Sequence, residues 1–187
     1  MRKPGVLIAI SLAFGAGFIC GLLWAAYKGA PPGLGPPTAS TPALTEADRA
    51  HLAELEERTR QHPDSRPDLV ALGNFAMDTG RFDTAKEAYE RALKLKGDDP
   101  DVLTDLGIVY RRTGQPKKAV ELFRRARQVN PSHVNSAFNL GVVLLHDLKD
   151  RQGALEAWEE YLKLEPSGER ADMIRRVLEQ LRRNPQK

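Results

Sequence analysis

A recurrence of 34 residues constrains this chain more than any other feature. Leu72-Gly73 returns as Leu106-Gly107 and again as Leu140-Gly141. A second signature follows each copy: Ala85, Tyr89 and Ala92, then Ala119, Phe123 and Ala126, then Ala154, Trp158 and Tyr161. The third set comes one residue late, so the turn around 147–152 has gained a residue. A closing position follows at Gly97, Pro131 and Pro166, and Pro63 fits the same series 34 residues before Gly97. Self-similarity at this period is the mark of stacked supersecondary units.

Each unit reads as two antiparallel helices. The first carries Leu then Gly, and the Gly admits a close partner helix. The second sets Ala, an aromatic and Ala at i, i+4 and i+7, which is one face of a helix. Tyr161 stands in for the second Ala of the third unit. Thr79-Gly80-Arg81 and Thr113-Gly114-Gln115-Pro116 end one helix and start the next. Thr45 with Asp48 three residues on predicts a capped helix before the first unit, running to about Gln61 with Leu52 and Leu55 as its apolar positions. After Pro166, the stretch from Gly168 to Arg183 predicts a last helix with Met173, Ile174, Val177, Leu178 and Leu181 apolar. Flanking helices of this kind cover the ends of a stack, because each unit buries its apolar face only on a neighbour.

These residues resemble the tetratricopeptide pattern, with Tyr110 at its expected place and the usual tryptophan replaced by Leu69, Leu103 and Ala137. The resemblance implies an all-α solenoid with repeats at 66–99, 100–133 and 134–168, a half-repeat helix at 44–62 and a capping helix at 169–187. It also implies that the first helices line a concave groove. Its inward positions are then Val70, Asn74 and Met77, Thr104, Ile108 and Arg111, and Phe138, Val142 and Leu145. This is a mostly apolar floor, with Asn74 and Arg111 as polar contacts and Arg111 available to a ligand carboxylate. The Lys/Asn set with which chaperone-binding members clamp a C-terminal carboxylate is not present.

The N-terminal region has a different character. Val6 to Tyr27 holds no charge, and at about 1.5 Å per residue its 22 positions make about 33 Å of helix, enough to cross a membrane. Arg2 and Lys3 precede it and only Lys28 is charged between it and Glu46. The positive-inside rule keeps residues 1–5 cytoplasmic and sends the rest across the membrane. The stretch is long for a cleavable signal, and Phe18-Ile19 before Cys20 does not suit a lipoprotein cysteine. Ala9, Ala13, Gly17, Gly21 and Ala25 form a small-residue ridge suited to self-association or to another membrane helix. Residues 28–43 hold five prolines and read as an extended spacer.

Of the 28 basic residues, three lie before residue 44, leaving 25 against 25 acidic ones in the remainder. A neutral soluble part does not fit a nucleic-acid partner. Cys20 is the only cysteine, which excludes an intramolecular disulfide, a C-x-x-C redox pair and a C-x-x-C-H haem attachment. There is no Gly-rich phosphate loop, H-E-x-x-H or G-x-S-x-G. The four histidines read as surface or capping residues, without metal-ligand spacing. No enzyme, cofactor or metal is expected.

Residues 101–166 resemble bacterial repeat proteins grouped with cytochrome c-type biogenesis, through Asp101-Val102-Leu103-Thr104-Asp105-Leu106-Gly107, Tyr110-Arg111-Arg112-Thr113-Gly114 and Gly141-Val142-Val143-Leu144-Leu145-His146-Asp147. The resemblance implies an anchored periplasmic domain that holds an apocytochrome or another subunit of an assembly complex. The expected function is a non-catalytic scaffold that seats a helical or extended segment in its groove. The alternative is a structural assembly factor that organises a membrane complex through both its membrane helix and its solenoid.

Overall fold

The computed structural model describes residues 43–183, and within them eight helices follow one another. They are α1 (Glu46–Gln61), α2 (Arg66–Asp78), α3 (Phe82–Leu95), α4 (Pro100–Arg112), α5 (Pro116–Val129), α6 (Val134–His146), α7 (Arg151–Leu164) and α8 (Glu169–Arg183). The pairs α2/α3, α4/α5 and α6/α7 are the three repeats, and each packs on the next. Among the described residues no helix is long and apolar enough to cross a membrane. The expected span at 6–27, its ridge from Ala9 to Ala25 and the spacer through residue 42 lie outside the described residues.

Local chemistry sets the boundaries. Thr45 and Asp48 form a reciprocal capping box on α1, with both bonds at 3.1 Å. The first helix of each repeat is capped by a side chain before it: Ser65 for α2, Asp99 for α4 and His133 for α6. These acceptors satisfy N–H groups that a helix start leaves without partners. Helices α2 and α4 end in Schellman motifs. Arg81 N–H reaches Ala76 O at 2.7 Å and Gln115 N–H reaches Tyr110 O at 2.8 Å. The reversal needs a left-handed residue, supplied by Gly80 (φ 73°) and Gly114 (φ 75°). The third turn lacks this glycine. Its extra residue is absorbed with Lys149 in the left-handed region (φ 59°), and Asp150 N–H closes the turn on Leu144 O at 2.8 Å.

Within each repeat the helices meet at the expected glycine. A Cβ on Gly73 would lie 2.5 Å from the Tyr89 ring, one on Gly107 2.5 Å from Phe123, and one on Gly141 2.3 Å from Trp158. The three rings are buried, and each contributes about 2–3 kcal/mol through removal of apolar surface from water. Between repeats, Val102, Leu106 and Val109 of α4 pack on Ala85, Tyr89 and Ala92 of α3, and Leu140, Val143 and Leu144 repeat the arrangement on α5.

The ends are closed as a stack requires. Leu55 of α1 is buried with Leu72 and Ala88, and Leu52 packs at the edge of that cluster. Ala171, Ile174 and Leu178 of α8 are buried against Ala137, Trp158 and Tyr161. Val177 and Leu181 are half-buried, whereas Met173, expected among the apolar positions, is exposed. It points away from α7 because the seam follows Ala171, Ile174 and Leu178.

Gly107→Ala forces a methyl into a ring that cannot retreat. It should destabilise the fold by about 1–3 kcal/mol in urea denaturation, with the unfolding slope unchanged.

Candidate functional site

The nine expected groove residues are not equivalent. Val70 and Met77 of α2, Ile108 of α4, and Val142 and Leu145 of α6 are half-buried, each anchored on a core cluster with part of its surface open. Asn74 is exposed, and its Oδ1 accepts a hydrogen bond of 2.7 Å from the Tyr89 hydroxyl. Phe138 is half-buried, with its ring 5.8 Å from that of Tyr161 and the Arg170 guanidinium 4.8 Å from its centroid.

Two positions behave otherwise than expected. Thr104 is buried and does not line the floor. Its hydroxyl donates to Pro100 O at 2.7 Å and lies 3.4 Å from Nδ1 of His133. The first turn of α4 is pressed against the cap of α6, and a hydroxyl that bonds its own helix fits there. Arg111 is not free for a ligand carboxylate: its Nε donates to Oδ2 of Asp147 at 2.6 Å. Its partner comes from the lengthened third turn, 36 residues on, and fastens α4 to α6.

The electrostatics of the groove involve residues that the sequence reading passed over. Burial, followed by the nearby Asp101, pushes the Asp105 carboxyl up to about 6. Burial also raises the Tyr89 hydroxyl, with Asp105 and Asp78 adding to the effect. Asp78, Asp99 and Asp101 thus lie near enough to act on Asp105 where the first two repeats meet. At the far end Arg170 supplies positive charge beside Phe138. Asp105 stood out in one respect: it is a charged residue between two apolar runs, directly before the Leu-Gly signature. Arg170 carried no such mark. Among the described residues no group of His, Cys, Asp or Glu is arranged to hold a metal ion. His133 caps α6 through Nδ1, while its Nε2 lies 3.0 Å from Asp101.

Comparison with known proteins agrees with this architecture. Residues 68–132 match one family model and residues 104–169 another, both described as tetratricopeptide repeat. Residues 68–169 thus form tetratricopeptide repeats, and the described part of the chain is a solenoid of that class. The chain is 32% identical over 121 residues to the protein O-mannosyl-transferase Tmtc3 of Drosophila melanogaster, which covers 65% of this chain but 13% of that protein. It is 29% identical over 112 residues to the photosystem I assembly protein Ycf3 of Synechococcus sp. (strain CC9605), covering 51% of this chain and 65% of that one. The chain therefore spans only a small part of the first of these relatives and about two thirds of the second. Among solved structures, MamA superposes with a TM-score of 0.63 at 18% identity, over 71% of this chain and 81% of that one. The first repeat domain of Spaghetti (RPAP3), solved with an HSP90 peptide, superposes with a TM-score of 0.57 at 22% identity, over 63% of this chain and 93% of that one. At these identities the likeness concerns the fold.

The Asp105 shift has a definite sign. Its folded pKa lies above the usual value near 4, so the folded state binds the proton more tightly than the unfolded chain. The stabilising effect of that proton is present below pH 4 and is lost as pH rises through 6. Asp105→Asn should therefore stabilise the fold at pH 7 by about 1–3 kcal/mol, with the advantage fading towards pH 4. Parallel thermal melts at the two pH values check this.

Proposed function

We propose that this protein is a non-catalytic scaffold that binds other proteins by seating a helical or extended segment in the concave groove of its repeats. One observation carries the reading. Along the first helices, Val70, Met77, Ile108, Val142 and Leu145 are each anchored on the core yet partly open, so a row of fixed apolar contacts runs across all three repeats. Such a row suits apolar anchors on a partner segment, and pre-ordered side chains lose little entropy when a ligand arrives. A sequence relative described as a photosystem assembly protein and another described as a co-chaperone support this class of role.

The finer reading places the solenoid in the periplasm, tethered to the inner membrane by residues 6–27, where it holds an apocytochrome or a related subunit during cytochrome c-type biogenesis. Its support is the uncharged 22-residue stretch, the basic residues before it, and the family resemblance of residues 101–166. The relative described as an assembly protein favours a second reading, in which the chain organises a membrane complex through both its N-terminal helix and its solenoid. Exchanging residues 6–27 for an unrelated membrane helix separates the two. A groove-based adaptor keeps its partners on any anchor, whereas an assembly factor that uses the Ala9 to Ala25 ridge loses them.

Ile108→Glu combined with Val142→Glu places two charges on the apolar row. Co-purification from native membranes should lose the wild-type partners by tenfold or more, while circular dichroism retains its helical signal. Undiminished co-purification by a folded double variant would sink the groove reading. A reporter enzyme fused after Lys187 and active only outside the cytoplasm should be active; an inactive fusion would place the solenoid on the other side.

A further inference from the structure

Neighbouring first helices are tied to one another at their N-termini by polar contacts across the repeat boundary. Arg66, at the start of α2, pairs with Asp99, the cap of α4. Asp101, in the first turn of α4, meets Nε2 of His133, the cap of α6, at 3.0 Å. Asn135, in the first turn of α6, meets Arg170, in the first turn of α8. The first two contacts join a basic group to a carboxylate. The third does not: there Arg170 reaches the neutral Oδ1 of Asn135, at 3.4 Å.

Arg170 nonetheless has a defined place. Its guanidinium lies over the Phe138 ring, 4.8 Å from the centroid, and that ring rests on Tyr161. Stacking of this kind holds the guanidinium plane while leaving the N–H groups on its edge available. Beneath lies a buried hydroxyl. Tyr161 is fully buried, and its hydroxyl makes no hydrogen bond of good geometry, although Glu165 and Arg170 face it. The corner thus combines an oriented cation without a carboxylate partner, a buried hydroxyl and an aromatic floor. Val142 and Leu145 continue from Phe138 along the same helix at i+4 and i+7.

Resting on the groove reading above, we infer that the C-terminal end of the groove is a carboxylate-reading subsite. It takes the side chain of an Asp or Glu within a partner segment whose neighbouring residues are apolar. The carboxylate accepts a forked pair of hydrogen bonds from Arg170 and supplies the charge that Asn135 lacks. The flanking apolar residues lie on Phe138 and Val142. Arg111, the groove arginine singled out from sequence, is committed to Asp147, so the reading arginine is Arg170 of the capping helix. Glu165, which faces the same hydroxyl, repels the incoming carboxylate and tempers the affinity.

The test uses the full 187-residue chain, immobilised, and a library of acetylated, amidated nonapeptides. The central residue is Glu, Gln or Lys and the others vary among Leu, Ile, Val, Phe, Ala and Ser. Retained peptides are read by mass spectrometry. The expected result is enrichment of Glu over Gln by about tenfold. Arg170→Gln should abolish the enrichment, Arg170→Lys should recover part of it, and Glu165→Gln should increase it. Equal retention of Glu and Gln peptides would overturn the proposal, as would an enrichment indifferent to Arg170→Gln. A parallel library with free C-termini is the source control, and preference confined to those free carboxylates would also overturn it. Val142→Glu separates this inference from the groove reading. If it abolishes retention while Glu is not preferred, the groove stands and the subsite falls. If peptides are retained equally by wild type and Val142→Glu, or by neither, both readings fall.

Discussion

The contact on which the rest of the molecule depends is that between a glycine in the first helix of each repeat and an aromatic ring in the second. Gly73 meets Tyr89, Gly107 meets Phe123, and Gly141 meets Trp158, at distances that leave no room for a Cβ. Interiors are close-packed and yield little, so this contact fixes how near the two helices of a pair lie. Three different rings satisfy it. What is required is a flat apolar body of sufficient size, and the polar atom of each ring is then provided for separately. The Tyr89 hydroxyl donates to Asn74 and the Trp158 indole N–H to Phe138 O at 3.1 Å, while Phe123 has no polar atom.

From that contact the alignment of the first helices follows. With each pair held at one spacing, successive pairs stack through Val102, Leu106 and Val109 on one boundary and Leu140, Val143 and Leu144 on the next. The first helices then stand side by side. Their inward residues share the burden of packing, which is why the apolar groove residues are half-buried rather than free. The same stacking brings the N-termini of these helices together, and the charged residues there are used as fasteners. This row of apolar side chains is held in place because its contacts are extensions of the core.

Much of this fold was legible in the amino-acid order because its determinants are local or recur at a fixed period. The Leu-Gly and Ala-aromatic-Ala signatures lie within single helices, the Thr45 box spans four residues, and the glycine turns span three or four. The site was less legible because its determinants reach across repeats. Thr104 occupied a groove position by register, yet the cap of the next repeat covers it. Arg111 looked available until the third turn brought Asp147 to it, 36 residues away. Arg170 looked like one of many arginines in a charged helix, and only the placement of α8 on Phe138 gives it a role. Periodicity identifies the position of a side chain within a repeat; the partner supplied by the next repeat decides whether that side chain is spent or available.

The two faces of the solenoid thus differ in kind. Second helices such as α5 present exposed charges, among them Arg124 and Arg125, whereas first helices present fixed apolar contacts, with Arg170 beside Phe138 at the C-terminal end. The most direct measurement places a photo-crosslinking residue at Ile108, on a first helix, or at Arg124, on a second helix, in cells bearing the full chain. Discrete partner adducts from position 108 and none from position 124 are the predicted result. Equal adducts from both, or adducts from 124 alone, would contradict the claim that the groove is the binding face.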